Sequence, residues 1–342
     1  MNTQNTSPTC SIDVSYCRFG SQTLLRILEG FEDLIDGVIE NVDVECVHRT
    51  RVTSRRLRAA MPIFEGCFPK KKFEIWTKEI KKVTRLLSEA RDLDVQIAFI
   101  EQYLKKLDSA SEKAALNVLL REHKNCRKRI QASVISGIEE LKTSNTISEI
   151  RQHCRRVEEK SEGGFDHSGI LLQRAHWHIS FRLDDFLSME KYVKLEKEKL
   201  RHHEMRIYAK KLRYTMEIFS PLYAEKLYEE IATMKAFQDV LGEIHDHDVW
   251  LEYIPIFKNK IRKTKNRNHP GVDQALKNFS NYVKVERRKY YRQFVSLWDS
   301  KNKEEFFAQL RKNTNTEFSS NAQKSIQQTL KNRDVKIAVL SD

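Results

Sequence analysis

The segment HRTRVTSRRLRAAMPIF, from His48 to Phe64, spaces its cations as an anion-binding surface would. At about 100° per residue, His48, Arg51, Arg55 and Arg58 fall within roughly 80° of one another on a helix, a basic stripe about three turns long. Leu57, Ala60, Met61 and Phe64 fall on the opposite side, so one face is read as core and the other as a ladder of positive charge. No Asp or Glu lies between Glu45 and Glu65. Solvated faces usually mix signs, because like charges at i,i+3 and i,i+4 cost about 0.2–0.5 kcal/mol per pair and Glu–Lys pairs recover a similar amount. The stripe must therefore be balanced from outside its own helix. Each Arg offers a planar fork that grips two phosphate oxygens. Successive turns rise about 5.4 Å, which suits a row of phosphates better than one compact nucleotide.

The stripe occurs twice. HEMRIYAKKLRYTMEIF, from His203 to Phe219, places His203, Arg206, Lys210 and Arg213 at a constant offset of 155 residues from His48, Arg51, Arg55 and Arg58. A second pair follows at an offset of 154: LLSEARDLDVQI (Leu86 to Ile97) and VLGEIHDHDVWL (Val240 to Leu251), aligning Asp92 and Asp94 with Asp246 and Asp248. Two motifs in one order at nearly one offset indicate tandem duplication of a helical unit. Aspartates two residues apart point to different sides of a helix, so neither pair is a glycosidase-like dyad. Their expected work is to hold an Arg or Lys fork in position. Lys78, Lys81 or Lys82, and Arg85 repeat the basic spacing on the next helix, Lys235 matches Lys81, and Arg287 and Arg288 stand late in the second unit. Glu79 and Glu286 are interleaved among these cations, which fits a solvated face as well as the rim of a site.

The elements that must carry these residues are helices. The 342 residues include 10 Gly and 6 Pro, separated by long runs rich in Leu, Glu, Lys, Arg, Ile and Ala, and strand alternation is hard to find. Helices are expected at about 16–40, 44–66, 72–107 and 110–142, with a short connector near 146–160, then at about 168–190, 196–220, 223–262 and 272–298. SEGGFDHSG, from Ser161 to Gly169, reads as the linker. The expected fold is all-α: two tandem four-helix bundles over 16–160 and 170–300, between a polar segment 1–15 and a polar tail 301–342. The tail carries NTNTEFSSNAQKSIQQ and the short DVKIAVL (Asp334 to Leu340), and no function is assigned to it.

Lys and Arg number 61 against 48 Asp and Glu, a formal net charge of +13 that favours an anionic partner. The start lacks a basic region leading into an apolar one, and no apolar run approaches about 18 residues, so neither a secretion signal nor a membrane span is expected and the cytoplasm is the default. Cys10, Cys17, Cys46, Cys67, Cys126 and Cys154 show no CxxC spacing and are expected to be reduced core residues, with neither disulfide framework nor zinc site.

The element H-x-x-R-[VI]-x-x-[RK]-[RK]-L-R, present twice and each time followed by x-D-x-D-V, closely resembles the CHAD family, the conserved histidine α-helical domain. The resemblance runs from about Tyr16 to Trp298. It implies two pseudo-symmetric bundles facing each other across a basic central channel that binds inorganic polyphosphate, without catalytic activity or cofactor. Carried over residue by residue, the binding groups would be His48, Arg51, Arg55 and Arg58, with His203, Arg206, Lys210 and Arg213 opposite. Family members are associated with polyphosphate granules, so granule association is expected. Some are fused to a triphosphate-hydrolysing domain, and no such segment is seen here.

Two rivals start from the same residues. His245-Asp246, with His203 upstream, resembles the ligand order of metal-dependent phosphohydrolases of the HD type. Against it, the first unit has Arg91-Asp92 at the equivalent place, and the HWH of His176 to His178 diverges on a helix. Sequence-independent binding of single-stranded nucleic acid would want stacking aromatics interleaved with the cations, and only Tyr208 and Tyr214 answer.

Overall fold

The computed structural model describes residues 13–40, 43–159, 169–263, 271–300 and 303–315, and every regular element among them is helical. Local chemistry sets the starts. Asp13 begins α1 (Val14–Ile39) by accepting from the backbone N–H of Ser15 at 2.8 Å and of Tyr16 at 3.3 Å. Asp43 begins α2 (Val44–Ala60) through the Cys46 N–H at 2.7 Å. The expected helix to residue 66 stops earlier: past Ala60 the chain tightens into a 3-10 stretch, Met61–Cys67, with Pro62 in its first turn. Then come α3 (Lys70–Lys105) and α4 (Ala110–Thr143), the latter capped by Ser109. Asn145, at φ 58°, takes the left-handed conformation that separates α4 from α5 (Thr146–Glu159). The second unit comprises α6 (Gly169–Leu187), α7 (Lys199–Phe219), α8 (Tyr228–Lys263) and α9 (Val272–Ser300).

Consecutive helices pack in each unit, α1 to α4 with α5 returning on α1, and α6 to α9. Between units, α2 packs on α7, α4 on α9 and α1 on α6. The apolar sides do not form one core per unit. One buried cluster joins Leu24, Leu57, Phe64 and Leu87 to Phe186, Leu212, Phe219 and Phe237. A second joins Ile100, Tyr103, Leu116 and Leu119 to Ile254, Phe257, Leu276 and Phe279. Leu57, Ala60, Met61 and Phe64 are buried as their side of the helix requires. Gly20 lets α1 approach this layer: a Cβ there would lie 2.6 Å from the Phe64 ring.

Three expectations are corrected or bounded. Residues 303–314 do not belong to a polar tail: they form α10 (Lys303–Thr314), which packs on α6 and buries Phe307 and Leu310. Cys17 and Cys67, expected reduced, form a disulfide tying α1 to the 3-10 stretch after α2, while Cys46, Cys126 and Cys154 are free thiols. Cys10, residues 1–12, the linker before Gly169 and the tail beyond residue 315, including DVKIAVL, lie outside the described residues.

Candidate functional site: a cation cluster where the two repeats cross

Residues at equivalent positions of the two repeats meet where α2 crosses α7. The rings of Phe64 and Phe219 pack edge to face with centroids 6.0 Å apart. On the polar side of the same crossing, Arg55 acts directly on Lys210, its own equivalent. The central cations of the two basic stripes therefore act on one another at this crossing.

Arg51, Arg55 and Arg58 of α2 and Arg206 and Lys210 of α7 form one electrostatic cluster. Burial, then the neighbouring Arg55, pull Arg51 down to about 10, against the favourable influence of Asp92 and Tyr214. Burial also lowers Arg55, which feels Arg206 and Arg58 as like charges and Tyr214 and Asp92 as favourable neighbours. Lys210 suffers most: burial, then Arg55, Arg206, Arg51 and Arg58, push it down to about 7. The Tyr214 phenol of α7, buried at 6% exposure, thus stands among the cations of α2.

The supports differ between halves. Arg51, 11% exposed at its side chain, pairs with Asp92 at 3.6 Å and donates from Nε to the Ser88 hydroxyl at 3.4 Å. The residue aligned with Ser88 is Gly242, which faces Arg206. No hydroxyl is available there, and the buried Arg206 Nε has no hydrogen-bond partner. Arg213 is turned toward Glu217, to which it donates, and toward the Gln238 carbonyl at 3.1 Å. Glu217 also pairs with Arg56 of α2 at 3.5 Å, so one carboxylate clips the two helices together. Glu217, Ser88 and Gln238 do not stand out in sequence, since none keeps its residue type in the other repeat, whereas Arg56 is matched by the cation Lys211.

His48 lies half-buried on α2 and His203 half-buried on α7. His203 and His245 of α8 meet Nδ1 to Nδ1 at 3.0 Å. One ring must donate and the other accept, so this contact excludes two imidazolium ions. Burial and Arg206 hold His203 below its ordinary value and bring His245 down to about 4. Beside them burial raises Asp246 to about 6, opposed by Arg206 and reinforced by Glu243 and by Asp92 of the first unit. Among the described residues no three His, Cys, Asp or Glu side chains gather as a metal-ligand set. His176 and His178 diverge, the first to Thr314 and the second to the Tyr16 hydroxyl, each at 3.0 Å.

The second aspartate of each x-D-x-D-V works elsewhere. Asp94 accepts from Arg127 Nε at 2.7 Å, and Asp248 accepts from Arg287 through both oxygens at 2.7 and 3.1 Å. These fix α3 to α4 and α8 to α9, behind the stripes. Arg287, open in the sequence between a solvated face and the rim of the site, is neither: its side chain is 6% exposed and engaged by Asp248. Arg288 is exposed beside Glu196 at 3.7 Å. Lys78, Lys81, Lys82 and Arg85 are all exposed on α3; Lys82 pairs with Glu140, and Arg85 with Glu89 at 3.3 Å. Lys235 lies half-buried on α8.

Comparison with known proteins agrees with this architecture. The chain is similar in fold to the crystal structure of the CHAD domain from the plant Ricinus communis, with a TM-score of 0.63 and 17% identity over 87% of this chain and 95% of that one. It is also similar to PptA from Streptomyces chartreusis, with a TM-score of 0.53 and 14% identity over 84% and 97% of the respective chains. No curated protein matches the chain significantly. The profile of the CHAD domain matches residues 22–255, spanning both basic stripes and both x-D-x-D-V elements, and the chain belongs to the CHAD domain family.

Proposed function

We propose that the protein binds inorganic polyphosphate, without turning it over, by laying one polyanion chain between α2 and α7. The observation that carries this reading is the cluster of half-buried Arg51, Arg55, Arg206 and Lys210 with exposed Arg58, which the fold holds together at an electrostatic cost to the free protein. A row of phosphates offsets that cost from both sides. His48, His203 and Arg213 extend the stripes at their ends, with granule association as the expected setting. Beads carrying polyphosphate of defined lengths should retain the protein, single-stranded DNA should compete poorly, and affinity should fall steeply with salt. Retention indifferent to salt, or stronger competition by DNA, contradicts the reading.

A second reading rests on the contact between His203 and His245 at 3.0 Å, the start of a metal-dependent phosphohydrolase site of the HD type. Release of orthophosphate from polyphosphate or a nucleoside triphosphate, lost on His245→Ala with Asp246→Ala, would establish it in place of simple binding. No helix among the described residues is long and apolar enough to cross a membrane.

A further inference from the structure

The two repeats differ at the last rung of their stripes. Arg58 is exposed on α2, and four residues further on stands Pro62, which offers it no counter-charge. Its equivalent on α7, Arg213, is 12% exposed at the side chain and donates from Nη1 to Oε1 of Glu217. Glu217 turns its second oxygen across the crossing: Oε2 lies 3.5 Å from Arg56 Nε of α2 and is buried without a hydrogen bond among the described residues. One carboxylate therefore balances two guanidinia from opposite repeats, and it does so incompletely. It stands at the closed end of the row. Just past it the rings of Phe19, Phe64 and Phe219 pack with centroids 5.8–6.1 Å apart, sealing α2 against α7.

A carboxylate between two arginine forks presents the chemistry of an internal phosphate of a polyphosphate chain, one negative charge spread over two oxygens. Arg213 does not depend on Glu217 alone for its position. Its Nε donates to Gln238 Oε1 at 3.1 Å, and its guanidinium lies 4.6 Å from the ring centroid of buried Tyr214. The Glu217 side chain is 21% exposed, so it can turn toward solvent and leave this cradle standing.

We propose that Glu217 is the resident anion of a further phosphate subsite, formed by Arg56 and Arg213 from opposite repeats, and that only a polyphosphate long enough to run past the central cluster displaces it. This rests on the polyphosphate reading above and gives that site a chain-length preference. Arg56, outside the repeated stripe, becomes a ligand contact, and Glu217 sets which lengths gain from it.

The test compares tripolyphosphate with long-chain polyphosphate on the full chain as wild type, Glu217→Gln and Glu217→Asp, by calorimetry at fixed ionic strength. Glu217→Gln removes the charge. Glu217→Asp keeps it on an arm one methylene shorter, too short to span Arg213 and Arg56 together. Both variants should bind the long chain about tenfold more tightly than wild type, the size of one charge-assisted contact that no longer has to be broken, while tripolyphosphate changes by less than about threefold. Adding Arg56→Gln to Glu217→Gln should take back most of the gain on the long chain. Melting curves of the free variants confirm that they fold. No gain, a gain equal for both ligands, or one seen in Glu217→Gln and absent from Glu217→Asp overturns the inference while polyphosphate binding stands. Binding of neither ligand by wild type overturns the polyphosphate reading and this inference with it.

Discussion

Arg287 donates to both oxygens of Asp248, and Asp94 receives Arg127 at the aligned position of the other repeat. The duplicated carboxylate thus serves the frame in both halves, pinning the third helix of each unit to the fourth. Residual differences make a prediction. Asp248 is 9% exposed and bonded through both oxygens, whereas Asp94 Oδ2 is buried without a partner and Arg127 has a second acceptor in Gln131 at 2.7 Å. Asp248→Ala should cost about 3–5 kcal/mol by leaving a buried guanidinium with only Glu196, whose carbonyl lies at 3.4 Å, and Asp94→Ala less. Chemical denaturation of the two variants gives the order directly.

Gly242→Ser restores on α8 what Ser88 provides on α3. A Cβ at Gly242 would sit 3.6 Å from Arg206 Nε, an ordinary contact, and its hydroxyl could accept from that orphaned donor. The change also removes a glycine from a helix interior. The free protein should gain about 0.5–1.5 kcal/mol, read as a raised melting temperature; an unchanged or lowered one would show that the donor is satisfied otherwise.

Glu217→Gln removes the charge that holds Arg213 and Arg56 together across α2 and α7. The free protein should lose about 1–3 kcal/mol. The stabilisation conferred by polyphosphate should grow, because the released guanidinium of Arg213 then finds its counter-charge only in the ligand. Melts with and without ligand separate these two effects.

Lys210 also sets a pH dependence in the absence of ligand. Its folded value of about 7 lies below its ordinary 10.5, so between these pH values the unfolded chain binds more protons and stability rises with pH. The deficit is fully present below about pH 7. Lys210→Met should therefore raise the melting temperature of the free protein at neutral pH and below, and the two proteins should converge toward pH 10.

Repetition made part of the site readable in the chain. His48 to Arg58 and His203 to Arg213 are contiguous and obey one helical period, so their types, faces and equivalence are visible without coordinates. Partners remote in sequence are not: Arg127 lies 33 residues from Asp94 and Glu217 far from Arg56, and no local pattern links them. Arg287 in KVERRKYYRQF looks like a solvated cation because burial of its fork depends on Asp248 from another helix. Cys17 and Cys67 are 50 residues apart with no spacing signature, and only the return of the 3-10 stretch onto α1 joins them. Phe307 and Leu310 sit in a mostly polar stretch, too short to show that α6 offers them a partner.

Whether one polyanion touches both repeats is read most directly by the thermal stabilisation that polyphosphate confers on wild type, Arg51→Glu, Arg206→Glu and the double variant. If Arg51 and Arg206 share a ligand, either reversal alone nearly abolishes the stabilisation, since it removes a fork and repels the chain in a confined, poorly screened space. The double variant then loses little more, while the free proteins melt at or above the wild-type temperature because a crowded cation has gone. Two partial losses that add in the double variant would instead mean two independent sites, and would contradict a single polyanion held between α2 and α7.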